Sequence, residues 1–256
     1  MSDDATTPSP RRASVRGRSD RDGIVALEAF SRGGVIDRDW MGWGVLRVLS
    51  RQDWAPAARR DDGRVANMER LLVLLDGALE LDCGPLGGHR LEPGDLLWIG
   101  CGHGLPSRLR NASATAPLRL VECWLQPGRV NAAPATGLRA ATPADADGTW
   151  TTLAADDRRA GPALPGVLPL RQHARVMSAR VAAGATVELP ACDGGRQWLE
   201  VLEGDVSVSD GARGAHGQQL AAGDGIGWVA AATGAPATLA ATGTGPAWLL
   251  LFVLPA

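Results

Sequence analysis

The chain has 256 residues, 45% of them apolar, and a formal charge of −2, enough material for two domains with buried cores and no general attraction for nucleic acid or an acidic membrane surface. Lys is absent, so all 26 basic residues are Arg, which excludes Schiff-base and P-loop lysine chemistry. Tyr is also absent and Phe occurs only twice, against nine Trp, so Trp supplies most of the aromatic volume.

Residues 1–22 mix Ser, Thr, Pro, Asp and Arg without periodicity and read as a disordered leader. Met41 to Leu49 starts with a glycine-flanked Trp43 and runs into a β-type segment. Leu71 to Leu75 ends at Asp76-Gly77, and Ala78 to Cys83 then alternates, which predicts a hairpin. Glu92-Pro93-Gly94-Asp95 has the order of a type II turn and leads into a strand over Asp95 to Ile99. Leu118 to Leu125 is a further strand bounded by Pro127. Residues 131–165, rich in Ala, Pro, Gly and Asp, read as a linker and crossing segment.

The second half repeats this grammar. Leu75-Asp76-Gly77 and Leu91-Glu92-Pro93-Gly94-Asp95 return as Leu202-Glu203-Gly204 and Leu220-Ala221-Ala222-Gly223-Asp224, the signature of two similar β modules. Many short strands, Gly and Pro turns and no long amphipathic stretch predict an all-β chain with few short helices, each half an antiparallel sandwich or jelly-roll barrel. The expected domains are 23–130 and 166–256.

Cys83, Cys101, Cys123 and Cys192 show no metal-ligand spacing and read as reduced thiols. No apolar run reaches the length of a membrane span and the N-terminus lacks a signal-peptide core, so a cytoplasmic chain with no membrane contact is expected.

In collective order, several segments resemble the pirin family, a branch of the two-domain cupins. They include Met41-Gly42 with Gly44-Val45-Leu46-Arg47-Val48, Asn67-Met68-Glu69, Leu91 to Asp95, Gly100-Cys101-Gly102, Asn111-Ala112-Ser113 and Trp124-Leu125-Gln126-Pro127. The resemblance covers residues 24–256 and implies two cupin (jelly-roll) β-barrels. It also implies an N-terminal iron or similar metal held by three His and one Glu, and in some members quercetin 2,3-dioxygenase activity.

The family's first His-x-His pair falls here on Gly63 and Val65, and its later His-x-Glu pair on Ser107 and Leu109. These four bind Fe(II) or Zn poorly, so no cofactor is expected. Fe(II) or another divalent metal would require atypical ligands such as His103, Glu69 and a cysteine. Arg60, Arg64, Arg108 and Arg110 cluster around the vacated segments and could hold an anion if they point inward.

Candidate ligand-binding residues are therefore Arg64, Glu69, Cys101, His103 and Arg108, with Glu69 and His103 the candidates for proton transfer. The reading is a bicupin that has lost metal-dependent dioxygenase activity and acts as a small-ligand or protein-binding module, monomeric or homodimeric. Alternatives are metal-free acid–base chemistry on an anionic substrate, or dioxygenase chemistry with atypical ligands.

Overall fold

The computed structural model describes residues 9–142, 148–157, 165–192, 194–209, 217–229 and 237–256. The chain divides into two compact units. The first comprises Arg16–Ala141 with Leu153–His173, and the second Met1–Val15 with Thr142–Thr152 and Ala174–Ala256.

In the first unit seven antiparallel strands lie side by side in the order Ala135–Arg139, Leu96–Gly100, Glu69–Asp76, Leu118–Leu125, Leu46–Trp54, Ile24–Glu28, Gly17–Arg21. Four more form a separate sheet in the order Arg59–Val65, Leu105–Asn111, Leu79–Asp82, Gly88–Leu91. Successive strand residues point to opposite faces, and the inward ones close into one core. Trp54, Leu72, Leu74, Leu97, Ile99 and Leu120 of the larger sheet pack with Leu79, Leu81, Leu91, Leu105 and Leu109 of the smaller.

The second unit repeats the plan. Ser9–Arg11, Gly225–Val229, Arg196–Glu203, Ala247–Leu254 and Arg175–Val181 are consecutive neighbours in one sheet. Thr186–Glu188, Thr238–Ala241, Asp205–Ser209 and Gln218–Ala221 form the other. Helical structure among the described residues is confined to the 3-10 turns Ala13–Val15 and Gly84–Leu86.

The fold is thus all-β, but the expectation of closed jelly-roll barrels is corrected: among the described residues the sheets are open and no ladder joins the larger to the smaller. Alternation with one buried face is identical in a barrel and in two stacked sheets, so the sequence pattern cannot distinguish them; closure depends on the edges. Here the edge strands Gly17–Arg21 and Arg59–Val65 are dense in Arg and Asp, a composition that discourages further pairing.

The expected hairpin at Asp76-Gly77 is corrected as well. Glu69–Asp76 and Leu79–Asp82 belong to different sheets, as do Arg196–Glu203 and Asp205–Ser209 around Glu203-Gly204. The repeated Gly marks a corner between layers. Gly77 (φ 85°) and Gly204 (φ 75°) are left-handed, and a Cβ there would approach within 2.6 Å of Leu118 Cβ or 2.7 Å of Pro246 O. The repeated Asp has its own task. Asp95 accepts from Glu92 N–H and Ala141 N–H, both at 2.9 Å, and Asp224 accepts from Ala221 N–H at 3.1 Å and Ala13 N–H at 2.7 Å. Each carboxylate closes its own turn and anchors the segment beyond the adjacent edge strand.

Of the stretch read as a leader, residues 1–8 lie outside the described residues, while Ser9–Arg11 and Gly17–Arg21 are strands. Of the stretch read as a linker, residues 143–147 and 158–164 lie outside them. Within it Ala135–Arg139 is an edge strand, and Thr151–Asp156 pairs in parallel with Leu168–Leu170. No helix among the described residues is long and apolar enough to cross a membrane.

Candidate functional site

Gly63, Val65, Ser107 and Leu109 lie on the neighbouring strands Arg59–Val65 and Leu105–Asn111. Their pairing is interrupted by a bulge: Pro106 faces Arg64, whereas Arg108 faces Asp61. Gly63 has φ 60° and its N–H donates to Asp61 Oδ1 at 2.9 Å. A bulge bends its strand and re-aims side chains, and here Asp62 is directed inward, where its side chain is 10% exposed.

The inward face of the larger sheet supplies the partners. Arg70 shares its face with Leu72 and Leu74, and Glu122 with Leu118 and Leu120; both are 0% exposed. Trp124 pairs with Arg70 and Glu122 with Leu72, so Arg70 and Glu122 are diagonal neighbours. Arg70 Nε and Nη2 both donate to Glu122 Oε1, at 3.0 and 2.6 Å. Arg70 Nη2 also reaches Asp62 Oδ2 at 2.6 Å, and its Nη1 donates to Ser107 Oγ at 2.7 Å.

Around this pair the polar side chains interlock. Arg60 lies 2.9 Å from Glu122 Oε2 and 2.7 Å from Asp62 Oδ1. Arg32 reaches Glu122 Oε2 at 3.3 Å and Glu28 Oε1 at 3.8 Å. Gln52 Nε2 donates to Glu122 Oε2 at 3.0 Å, while Gln52 Oε1 accepts from Trp54 Nε1 and Arg60 Nη1. The Arg32 and Arg70 guanidinium groups sit 5.1 and 5.2 Å from the Trp124 ring centre.

Charge within the cluster is matched: Arg32, Arg60 and Arg70 against Glu28, Asp62 and Glu122. Burial alone would raise the Glu122 carboxyl, but Arg60, Arg70 and Arg32 overcome it and hold it well below the usual carboxylate range. Glu28 goes the other way, because its burial outweighs the nearby Arg32.

This arrangement does not fit the metal that the family resemblance implies. Gly63 has no side chain, Val65 packs against the apolar core, Leu109 lies within that core, and Ser107 accepts from a guanidinium. A fixed positive charge within hydrogen-bond distance of a ligand position opposes a divalent cation. Among the described residues no group of His, Cys, Asp and Glu is placed to hold a metal ion.

The candidate residues do not converge. Glu69 lies on the opposite face of its strand from Arg70; its Oε1 accepts from Trp98 Nε1 at 3.0 Å and Arg171 N–H at 2.8 Å, and Oε2 has no hydrogen-bond partner. Burial raises its pKa against those two bonds. Cys101 is buried in the core and its thiol is pushed by burial up to about 11, the reverse of nucleophile activation. His103 is exposed; its backbone N–H donates to Ala132 O at 2.9 Å, and its carbonyl accepts from Arg64 Nη2 at 3.3 Å. Arg64 and Arg108 are exposed, and Arg108 Nε donates to Asp61 Oδ2 at 2.9 Å.

Arg108 does line a cavity of about 750 Å³ on the outer face of the four-stranded sheet, together with Arg59, Arg90, Arg110, Asp61 and Glu80. The sequence reading did not single out Arg70 or Glu122. The signal was present as alternation: a phase that buries Leu72 and Leu74 also buries Arg70, and one that buries Leu118 and Leu120 also buries Glu122.

Residues 159–254 match a family described as the quercetinase C-terminal cupin domain. The chain is 28% identical to a pirin-like protein of Caulobacter vibrioides over 173 residues, spanning 66% of this chain and 71% of that one. Its fold is similar to that of YhhW from Escherichia coli, with a TM-score of 0.83 at 21% identity, covering 97% of this chain and 98% of the other. A structure described as bacterial pirin YhhW in complex with nickel(II) gives 0.82 at 19% identity, covering 98% and 100%. The repeated corner-and-turn plan, the two-unit structure and these matches together give the chain a pirin/cupin-type bicupin fold, one in which no metal-binding cluster is present among the described residues.

Proposed function

We propose that this chain is a metal-independent member of its family that acts as a binding module rather than a dioxygenase. The observation that carries the reading is the Arg70 guanidinium, held between Glu122, Asp62 and Ser107 where the family resemblance places a histidine ligand. Replacing ligands with neutral side chains leaves an empty site, whereas adding a buried cation makes the site repel metal. The acid–base alternative assigns proton transfer to Glu69 or His103, and neither lines the arginine-rich cavity. The partner in this reading is a small molecule or a protein, met in the cytoplasm by a monomer or homodimer, and residues 23–130 carry the binding surface.

The test is metal analysis. Protein loaded anaerobically with Fe(II), Ni(II) or Zn(II) and then desalted is expected to retain metal well below one equivalent. It is also expected to turn over quercetin no faster than a Glu69→Gln variant. Tight one-to-one binding by the wild-type protein would overturn the reading.

A further inference from the structure

The outer face of the four-stranded sheet in the first unit carries its charges in two rows that run across the strands. In one row Asp61 stands opposite Arg108, and Arg108 opposite Asp82, so the signs alternate. In the adjacent row Arg59 stands opposite Arg110, Arg110 opposite Glu80, and Glu80 opposite Arg90. Glu80 is shared by Arg110 and Arg90, and Arg90 has a further acceptor in Glu92 at 2.9 Å. Among the described residues Arg59 has no ion-pair partner, and its directly opposed neighbour carries the same sign.

Side chains directly opposed on neighbouring antiparallel strands have Cβ atoms about 4.5–5.5 Å apart, and like charges there weaken the pairing. The sheet nevertheless holds Arg59 and Arg110 in this register. Arg110 uses its Nε and Nη2 on Glu80, which leaves Nη1 for another acceptor. We propose that Arg59 and Arg110 jointly bind the phosphate or carboxylate group of a small organic anion.

A single oxyanion between two guanidinium groups removes their repulsion and gains charge-assisted hydrogen bonds from both. The cavity of about 750 Å³ over this face lies within the range of small-molecule sites and exceeds what an inorganic ion fills. Its remaining lining includes Asp61, Glu80, His89, Arg90 and Arg108, so the rest of the ligand lies against their polar groups and the aliphatic stems of the arginines. The expected ligand is therefore a small organic acid or phosphate ester, its anionic group seated on Arg59 and Arg110. The proposal supplies a ligand class to the binding-module reading, but it concerns the outer face of the sheet, so metal loading and anion binding can fail independently.

Calorimetric titration of the full chain at low ionic strength, with inorganic phosphate in one arm and malonate in the other, is the test. Saturable binding of phosphate, malonate or both is expected and distinguishes the two anion sources. Arg59→Gln and Arg110→Gln are each expected to weaken it about tenfold or more, with partial retention in Arg59→Lys. Arg119→Gln, whose side chain pairs with Asp76 on the other sheet, is expected to bind as wild type does. Circular dichroism verifies that the exposed replacements leave the fold intact. Absence of saturable binding in both arms, or unchanged binding in Arg59→Gln and Arg110→Gln, would overturn the proposal.

Discussion

The interiors of the two units share a ladder register and differ in chemistry. In the first unit Arg70 pairs with Trp124 and Leu72 with Glu122; in the second Gln197 pairs with Val253 and Leu199 with Leu251. The positions that hold a buried Arg–Glu pair in one unit thus hold a Gln and a Leu in the other. Gln197 needs only the Pro190 carbonyl, 2.7 Å away, and the second core is otherwise built from Val, Leu, Ile, Ala and Met. The same backbone plan therefore closes over either filling. Charge is not needed to hold such sheets together.

The comparison breaks most visibly at Arg70. Removing one partner of a buried ion pair strands the other, at a cost of about 3–5 kcal/mol. Arg70→Met is expected to lose that much in urea unfolding followed by Trp fluorescence, whereas Gln197→Met loses one neutral hydrogen bond, about 1 kcal/mol. Equal losses would show that the charged interior is not coupled. Converting the first interior towards the second, with Arg70→Met and Glu122→Leu together, leaves Arg60 paired with Asp62 and Arg32 with Glu28. That double variant is expected to be more stable than either single one, with a coupling of about 2–3 kcal/mol in a double-mutant cycle.

The smallest expected effects are in pH dependence, and they sharpen the contrast between the two faces of one sheet. The inward Glu122 has a folded pKa held below the ordinary value of 4.5, so its contribution to stability is present above that value and is lost as pH falls through the folded pKa. Glu122→Gln removes that acid limb. Glu69, on the outward face, has its pKa raised above 4.5; its contribution is complete below the unfolded value and is lost as pH rises through the folded one. Glu69→Gln is expected to remove that loss. Denaturant midpoints measured from pH 3 to pH 7 check both signs, and a common direction for the two variants would refute the assignment of faces.

Much of the fold was legible because its devices are local. Leu91 to Asp95 and its partner Leu220 to Asp224 identified repeated turns, and the positions that the family resemblance assigns to metal ligands could be read residue by residue. Sheet closure was not legible, since alternation in Leu118 to Leu125 or Leu71 to Leu75 states which residues face inward but not where an edge strand finds its partner. Asp76-Gly77 was misread for a related reason: a left-handed glycine suits a tight hairpin and a corner between layers equally well. Arg70 and Glu122 were overlooked because a charge inside an apolar run looks like an exception to alternation until both strands are placed together. The Arg59–Arg110 opposition depends on the bulge that sets the register of those strands, and no single segment encodes that.

The bulge at Gly63 has a consequence for engineering. Point substitutions that installed histidine would set one on the left-handed backbone at 63 (φ 60°), at a cost of about 1–2 kcal/mol, and another at 107 against Arg70. A design that adds histidines one residue at a time therefore passes through less stable intermediates, and a metal centre here calls for rebuilding the strand Arg59–Val65 and the Arg70 ion pair together.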